Sequence, residues 1–259
     1  PKPLSPGQQA TQRLLEPHLK KCKSDVNACQ MLLARALVHT DDHEADFLKD
    51  VFDHACKKGS AASCTAAAVL RRGEHEDQLV RTSKRGCTKQ DSFSCAVYAP
   101  TVLASEPEGA KRFQDTQAMV EHACKSLGGW VCFVDAKIKR RTDPRAETLP
   151  LMEKACAGGD VLACFVAGQM HSEGAGSVEK NPSRASELYA KSCDGLVAAA
   201  CHNLAWQMLR GVGVHKDEKN AQSMFQRACE LGDPAACDQL SEGAATVERL
   251  ETWCDLWGA

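Results

Sequence analysis

The cysteines of this chain fall into regularly spaced pairs. Of the 15 cysteines, all but Cys254 can be paired, at a sequence separation of seven for the first pair and eight for the other six. Successive pairs begin 31 to 37 residues apart. A period in that range is typical of helix–turn–helix solenoids. The pairs are Cys22 with Cys29, Cys56 with Cys64, Cys87 with Cys95, Cys124 with Cys132, Cys156 with Cys164, Cys193 with Cys201, and Cys229 with Cys237.

The spacing favours disulfide bonds over metal ligation. Structural zinc sites usually place the nearer ligands two to four residues apart, whereas most of these pairs enclose seven residues. The chain also has no Cys-x-x-Cys, the motif of thioredoxin-type redox chemistry. Seven local disulfides are therefore the favoured interpretation, with zinc and free buried thiols as the alternatives.

The residues around each pair predict two helices that meet at a tight corner. Before Cys56, Cys124, Cys156, Cys193 and Cys229, apolar or small residues recur at positions −8, −5, −4 and −1, which lie on one face of a helix, and Cys87 is a weaker copy. Between the cysteines stand a helix stop and a helix start, as in Gly232, Asp233 and Pro234. The chain is thus predicted to be all-α, with about fourteen short helices. Closing a nine-residue loop would stabilise each corner by about 2.5 kcal/mol.

The composition limits the classes of partner that the chain is expected to bind. With 259 residues and 43% hydrophobic residues, the chain can bury a core. Its formal net charge of −2 gives no general attraction to nucleic acid or membrane surfaces. No run of apolar residues approaches the length of a membrane helix. We therefore expect no nucleic-acid partner and no membrane span.

A longer pattern extends over residues 164–237. One copy carries Gly174-Ala-Gly176 and Asn181-Pro182, and the next carries Gly211-Val-Gly213. This pattern resembles the Sel1-like repeat, a relative of the tetratricopeptide repeat, and the paired cysteines make it similar to the helicobacter cysteine-rich protein family. The resemblance implies a right-handed α/α superhelix in which each repeat contacts its neighbours. The glycines are expected at positive φ, where the chain reverses between helices.

We divide the chain into four parts. Residues 1–28 form an N-terminal capping helix, broken near Pro17, and the first cysteine corner. Residues 29–155 hold degenerate cysteine-paired repeats, 156–237 hold well-formed repeats, and 238–259 form a C-terminal capping helix. Cys254, flanked by Trp253 and Trp257, is left without a partner. We expect a buried free thiol there, with an intermolecular bridge as the alternative.

Resemblance to tetratricopeptide-like solenoids places the first helix of each repeat on a concave face. That face should include positions +1, +5 and +8 from the second cysteine. The main candidates for binding a partner are Phe133, Lys137, Phe165, Gln169, His202 and Trp206. The same rule adds Gln30, Ala34, Leu37, Thr65, Val69, Arg72, Arg140, Ser172 and Leu209. Exposed aromatics are typical of binding grooves, but these aromatics could equally pack against a neighbouring repeat.

Enzymatic chemistry has weak support in the sequence. The resemblance raises it, since some cysteine-rich relatives bind penicillin and are described as weak β-lactamases. The one Ser-x-x-Lys match is Ser177 to Lys180, in an inter-helix loop without a Lys-Thr-Gly strand. We expect no catalysis from it.

Three charged clusters are better explained as solvated surface than as sites. Two clusters lie in predicted inter-helix loops, and their acidic residues suit a helix N-terminus. The third suits a helix C-terminus, although it could also meet an acidic partner. We expect neither a metal ion nor a cofactor. The clusters are His39, Asp41, Asp42, His43, Glu44 and Asp46; Glu74, His75, Glu76 and Asp77; and Lys137, Lys139, Arg140, Arg141 and Arg145.

The sequence thus predicts a non-enzymatic, monomeric scaffold that binds another protein or peptide on its concave face. Its many disulfides imply an oxidising compartment, either the periplasm or the secreted space, with the mitochondrial intermembrane space as the alternative. The alternative function is a β-lactam- or peptidoglycan-fragment-binding protein with weak β-lactamase activity.

Overall fold

A computed structural model describes residues 6–25, 29–37, 42–71, 76–107, 110–142, 147–174 and 178–243. Within these ranges the chain forms fourteen helices and no strand, as the cysteine pattern predicts. The helices are α1 (Pro6–Ser24), α2 (Gln30–Leu37), α3 (Asp42–Lys57), α4 (Ala61–Leu70), α5 (Glu76–Thr88), α6 (Ser92–Ser105), α7 (Lys111–Leu127), α8 (Trp130–Thr142), α9 (Leu149–Ala157), α10 (Val161–Glu173), α11 (Pro182–Asp194), α12 (Ala198–Arg210), α13 (Glu218–Glu230) and α14 (Pro234–Gly243).

Seven disulfides join consecutive helices in pairs, each linking the end of an odd-numbered helix to the start of the next. All seven pairs are bonded in the predicted order, with Cα–Cα distances of 4.5 to 4.8 Å. The bonds join Cys22 to Cys29, Cys56 to Cys64, Cys87 to Cys95, Cys124 to Cys132, Cys156 to Cys164, Cys193 to Cys201, and Cys229 to Cys237. The alternatives of zinc ligation and free thiols at these positions therefore do not hold in this structure.

Local capping builds the corners that bring the cysteines together. Ser60 accepts a hydrogen bond from the Ser63 amide, and Asp91 accepts one from the Ser94 amide. Gly59 precedes the first of these caps at φ 99°. The short stop-and-cap sequence thus reverses the chain within a few residues.

Two helix boundaries differ from the sequence prediction. Helix α1 continues through Pro17, which lacks the N–H that would bond the Arg13 carbonyl. Both residues are exposed, so water can satisfy that carbonyl and the helix tolerates the proline. Helix α3 begins at Asp42, so much of the first acidic cluster is helical rather than part of a loop.

Three of the four glycines predicted at positive φ in the last repeats adopt that conformation, and the fourth, Gly176, lies outside the described residues. Gly174, Gly211 and Gly213 have φ between 67° and 77°. A Cβ on Gly213 would stand 2.3 Å from the backbone of Pro182, so this loop also packs closely against the preceding repeat. Glycine is thus required there for both its conformation and its size.

The two ends of the solenoid meet, which the sequence did not predict. The Thr11 hydroxyl on α1 donates to the Glu230 carbonyl on α13 over 2.7 Å. Burial, followed by the charge of Arg227 on α13, lowers the pKa of His18 on α1. First and last repeats therefore share one hydrophobic core, which includes Leu15 and Leu231. The expectation that repeats contact only their neighbours is wrong at this junction, because the turn of the superhelix brings α1 round to α13.

A buried ion pair lies beside the junction. Arg35 on α2 donates to both carboxylate oxygens of Glu44 on α3, over 2.7 Å through Nε and 2.6 Å through Nη2. Its Nη1 lies 3.5 Å from the Leu231 carbonyl at the end of α13. Arg35 and Glu44 are 4% and 6% exposed. One guanidinium thus ties the first repeat together and contacts the last.

Among the described residues, no helix is long and apolar enough to cross a lipid bilayer.

Candidate partner-binding groove

An apolar groove of about 490 Å³ runs across the helices that follow the second cysteines. Most of its wall comes from α6 and α8, and α2, α4, α5 and α10 add one residue each. We call this feature the concave groove. It is lined by Leu37, Val69, Leu79, Ala96, Val97, Pro100, Thr101, Leu103, Ala104, Trp130, Phe133, Val134, Lys137, Ile138 and Leu162.

The groove follows the predicted register in its central part. Phe133 and Lys137 stand at +1 and +5 from Cys132, and both line it. Leu37 and Val69 line it as well, at +8 from Cys29 and +5 from Cys64. Helices α2, α4 and α8 thus turn the predicted face toward the same groove.

The same rule, applied to Cys95, finds groove residues that were not predicted. Ala96, Pro100 and Leu103 stand at +1, +5 and +8 from this cysteine and line the groove. This segment lacks the paired glycines of a well-formed repeat, yet its cysteine offsets are intact. Trp130 and Leu162 had no such signal, since each precedes its cysteine by two positions.

Two aromatic rings pack together beside the groove, and one of its lining helices contains a proline. Trp130 is buried and packs edge-to-face on Phe93, with ring centroids 5.2 Å apart. Such pairs stabilise a fixed ring geometry beyond the area they bury. Pro100 lies inside α6 and has no backbone N–H. The Ala96 carbonyl therefore lacks the helical hydrogen bond that residue 100 would otherwise donate.

One cation marks the edge of the groove. Among the described residues that line it, Lys137 is the single charged one. Its ammonium lies 5.1 Å from the centroid of the Phe133 ring, close enough for a cation–π contact, and its side chain is exposed. Lys139, by contrast, pairs with the buried Asp135 over 3.1 Å. The groove is therefore suited to an apolar segment that carries a carboxylate near Lys137.

The candidates that follow Cys164 and Cys201, on α10 and α12, pack against neighbouring helices and do not line this groove. The Phe165 ring lies 6.0 Å from that of Tyr189, and the Trp206 ring packs edge-to-face on Phe225 at 5.4 Å. The other two candidates on these helices, Gln169 and His202, are half-buried. The two aromatics thus make the inter-repeat contacts that the sequence left open as an alternative to binding.

His202 has one hydrogen-bond partner, Trp206, and lies near the Asp233 carboxylate. Trp206 Nε1 donates to His202 Nε2 over 2.9 Å, so the neutral ring carries its proton on Nδ1. That nitrogen lies 3.3 Å from Asp233 Oδ2.

Some predicted surface positions are buried or lie outside the described residues. Ala34 is fully buried, and Thr65 is buried with its hydroxyl 2.8 Å from that of Ser94, so neither belongs to the groove. Both helices turn these positions toward an adjacent helix. The Gln30 and Arg72 side chains lie outside the described residues, as does Cys254.

The other sequence candidates lie partly outside the described residues, and some of the described ones form ion pairs. Ser177 lies outside the described residues, and Lys180 is exposed. Glu44 of the first acidic cluster binds Arg35, and Asp46 pairs with Lys49 over 3.3 Å. The described part of the chain contains no group of three or more His, Cys, Asp or Glu side chains that could hold a metal ion. Outside the described residues fall His39, Asp41, Glu74, His75, Arg145 and the side chains of Asp42, His43, Glu76 and Arg141.

Asp160 is a buried carboxyl with a strongly raised pKa. Burial raises its pKa to about 7, against the opposing effect of hydrogen bonds from the Ala163 and Leu162 amides. Its Oδ1 accepts both bonds, and its Oδ2 is buried without a hydrogen-bond partner. Asp160 caps α10 inside the corner closed by Cys156 and Cys164, so its chemistry bears on stability.

Together these features define a disulfide-linked α-solenoid with an apolar groove formed mainly by α6 and α8. The sequence model of the Sel1 repeat matches residues 161–195 and 198–233 of this chain. The matched ranges fall in the part of the chain where the paired glycines stand.

Two curated relatives share part of this sequence. Cytochrome c oxidase assembly factor 7 of Xenopus tropicalis is 30% identical over 127 residues, which cover 47% of this chain and 54% of that protein. Assembly factor 7A of Xenopus laevis is 33% identical over 93 residues, 34% of this chain and 40% of that protein. The chain thus spans about half the length, or less, of these relatives.

A solved structure shows the same fold. A Sel1 repeat protein from Oxalobacter formigenes has a TM-score of 0.57 at 14% identity, with 83% of this chain and 98% of that chain covered. Cysteine rich protein B of Helicobacter pylori is also among the structural neighbours, at 24% identity and a TM-score of 0.40, with 52% and 100% covered. The similarity to the Oxalobacter formigenes structure supports the solenoid architecture and gives no information about function.

Proposed function

We propose that this protein is a non-enzymatic scaffold that binds a segment of another protein in the concave groove. The observation that carries the proposal is the groove itself: fourteen of its fifteen lining residues are uncharged and mostly apolar, and they come from five successive repeats and one intervening helix. A small ligand would need convergent polar groups for its orientation, whereas the polar side chains of the described wall are Lys137 and Thr101, whose hydroxyl donates to the Tyr98 carbonyl. An apolar peptide with an acidic residue matches this lining.

The proposed compartment is an oxidising one, supported by seven disulfide corners. The periplasm and the secreted space share this property. Likeness to the two assembly factors favours the mitochondrial intermembrane space instead, since their names concern a mitochondrial enzyme. A partner among proteins that assemble cytochrome c oxidase is the corresponding proposal.

Truncation of one aromatic separates a groove ligand from a ligand bound elsewhere. Phe133→Ala removes a half-buried ring from the groove, and Tyr98→Ala removes a half-buried ring from the neighbouring α6 outside it. The partner is recovered from the native oxidising compartment on each variant and quantified by mass spectrometry. A central anchor commonly contributes 2 kcal/mol or more, so Phe133→Ala should weaken binding about thirtyfold.

The control should bind like the unmodified protein. Charge reversal gives a second comparison, because Lys137→Glu should repel the acidic residue of the partner while Lys111→Glu, on the exposed start of α7, should not. Equal effects of the two aromatic truncations, or of the two reversals, would refute the groove as the binding site.

A further inference from the structure

A second hollow, of about 520 Å³, lies between α3, α4 and α5 and is strongly basic. Four cations line it: Arg71 at the end of α4, Arg81 and Arg85 on α5, and Lys89 just after α5. The single acidic residue in its described lining is Asp53 on α3, which forms an ion pair with Arg71. That lining thus carries three positive charges in excess.

The unpaired cations converge by helix geometry. Gln78, Arg81 and Arg85 are separated by three and four positions, so they share one face of α5, and Lys89 continues that face past the helix end. Arg81, Arg85 and Lys89 have no carboxylate partner among the described residues. Exposed lysines elsewhere in the described structure are often paired: Lys20 bonds Glu16 and Lys125 bonds Glu121, each four residues away.

Two arginines on one helix face are suited to bind phosphate or carboxylate groups. The planar guanidinium presents paired N–H donors that match the oxygens of phosphate or carboxylate groups, and such charge-assisted bonds are shorter and stronger than neutral ones. A single carboxylate would neutralise one of the three excess charges. Two neighbouring phosphate groups would neutralise two of the three as phosphodiesters and all three as a diphosphate, and the hollow is large enough for them, since a water molecule takes about 30 Å³.

We propose that this hollow binds a ligand with two adjacent phosphate groups, through Arg81, Arg85 and Lys89. The site is separate from the concave groove and does not depend on the function proposed for it. Such phosphates occur in soluble diphosphates and in phospholipid headgroups, which present the same chemistry to the arginines.

Isothermal titration with inorganic pyrophosphate tests the site on the full, oxidised chain. Arg81→Gln and Arg85→Gln each remove charge-assisted hydrogen bonds and should weaken binding about tenfold. Lys84→Gln is the matched control, because Lys84 is an exposed cation on the same helix that does not line the hollow. It should change the affinity less than twofold. Circular dichroism of each variant checks that the helices are intact.

Flotation with phosphatidylcholine vesicles, with and without cardiolipin, distinguishes the two sources of phosphate. Pyrophosphate binding that depends on Arg81 and Arg85 supports a soluble diphosphate. Flotation that requires cardiolipin and both arginines, without pyrophosphate binding, supports a headgroup. Failure of both probes to bind would overturn the proposal. It would also be overturned if Lys84→Gln weakened binding as much as Arg85→Gln, because the effect would then be one of general charge.

Discussion

Removal of Glu44 should destabilise the whole solenoid, because this carboxylate compensates a buried charge at the junction of its two ends. Glu44→Ala leaves the Arg35 guanidinium 4% exposed and without its bidentate partner at 2.6 and 2.7 Å. Breaking a buried pair from one side typically costs about 3–5 kcal/mol, mainly because the remaining charge stays desolvated. We expect a loss of that size in the free energy of unfolding.

The effect should be local as well as global. Arg35 also contacts the Leu231 carbonyl at the end of α13. If the Arg35 side chain becomes disordered, we expect α1 to separate from α13. Urea unfolding of the oxidised protein, followed by far-ultraviolet circular dichroism, measures the first effect. Hydrogen exchange measures the second: backbone amides of α1 should exchange about a hundredfold faster.

A matched control lies one half-turn away on the same helix. Asp46 pairs with Lys49 on the surface at 3.3 Å, and such pairs contribute at most about 1 kcal/mol. Asp46→Ala should therefore leave unfolding nearly unchanged. If Glu44→Ala costs no more than Asp46→Ala, or if α1 exchanges at the same rate in both, the reasoning about a closed junction is refuted.

Three further predictions concern other parts of the chain. Trp206→Ala should lower the melting temperature, because it removes the ring contact with Phe225 and costs about 3 kcal/mol of stability. An unchanged melting temperature together with lost partner binding would instead show that Trp206 anchors the partner. The pKa of Asp160 is raised from 3.8 to about 7 in the folded state, so the free energy of unfolding should fall as pH rises from 4 through 7, by up to about 4 kcal/mol. Asp160→Asn should abolish this pH dependence in thermal melts at several pH values. A pH dependence that Asp160→Asn leaves unchanged would contradict the burial of this carboxyl. Alkylation and non-reducing peptide mapping should find seven local disulfides and one free thiol at Cys254, whereas a covalent dimer abolished by Cys254→Ser would show an intermolecular bridge.

Much of the fold could be predicted because its unit is local. A cysteine pair, a glycine stop and a capping residue lie within nine positions, so Gly59, Ser60 and their counterparts specify each corner without reference to the rest of the chain. The junction of α1 with α13 could not be predicted in this way. The bond from Thr11 to Glu230 depends on small rotations added over every repeat, and no local pattern encodes their sum.

The groove was predictable in register and less so in position. Offsets from the second cysteine identify Phe133 and Lys137 and, applied to Cys95, would have identified Pro100. They do not reveal in which repeats a neighbouring helix packs closely enough to cover these positions. Trp206 occupies the same offset as Lys137, yet its ring contacts Phe225 because the neighbouring helix supplies an aromatic partner there.

Photo-crosslinking from the groove tests the central claim most directly. A benzophenone amino acid is placed at Phe133 in the groove and, in a second protein, at Gln114 on the exposed surface of α7. Both are irradiated in the native oxidising compartment, and crosslinked peptides are sequenced. We predict one discrete partner from position 133, linked through an apolar segment with an acidic residue, and no such product from position 114. Crosslinks to that partner from position 114 and none from position 133 would contradict the account.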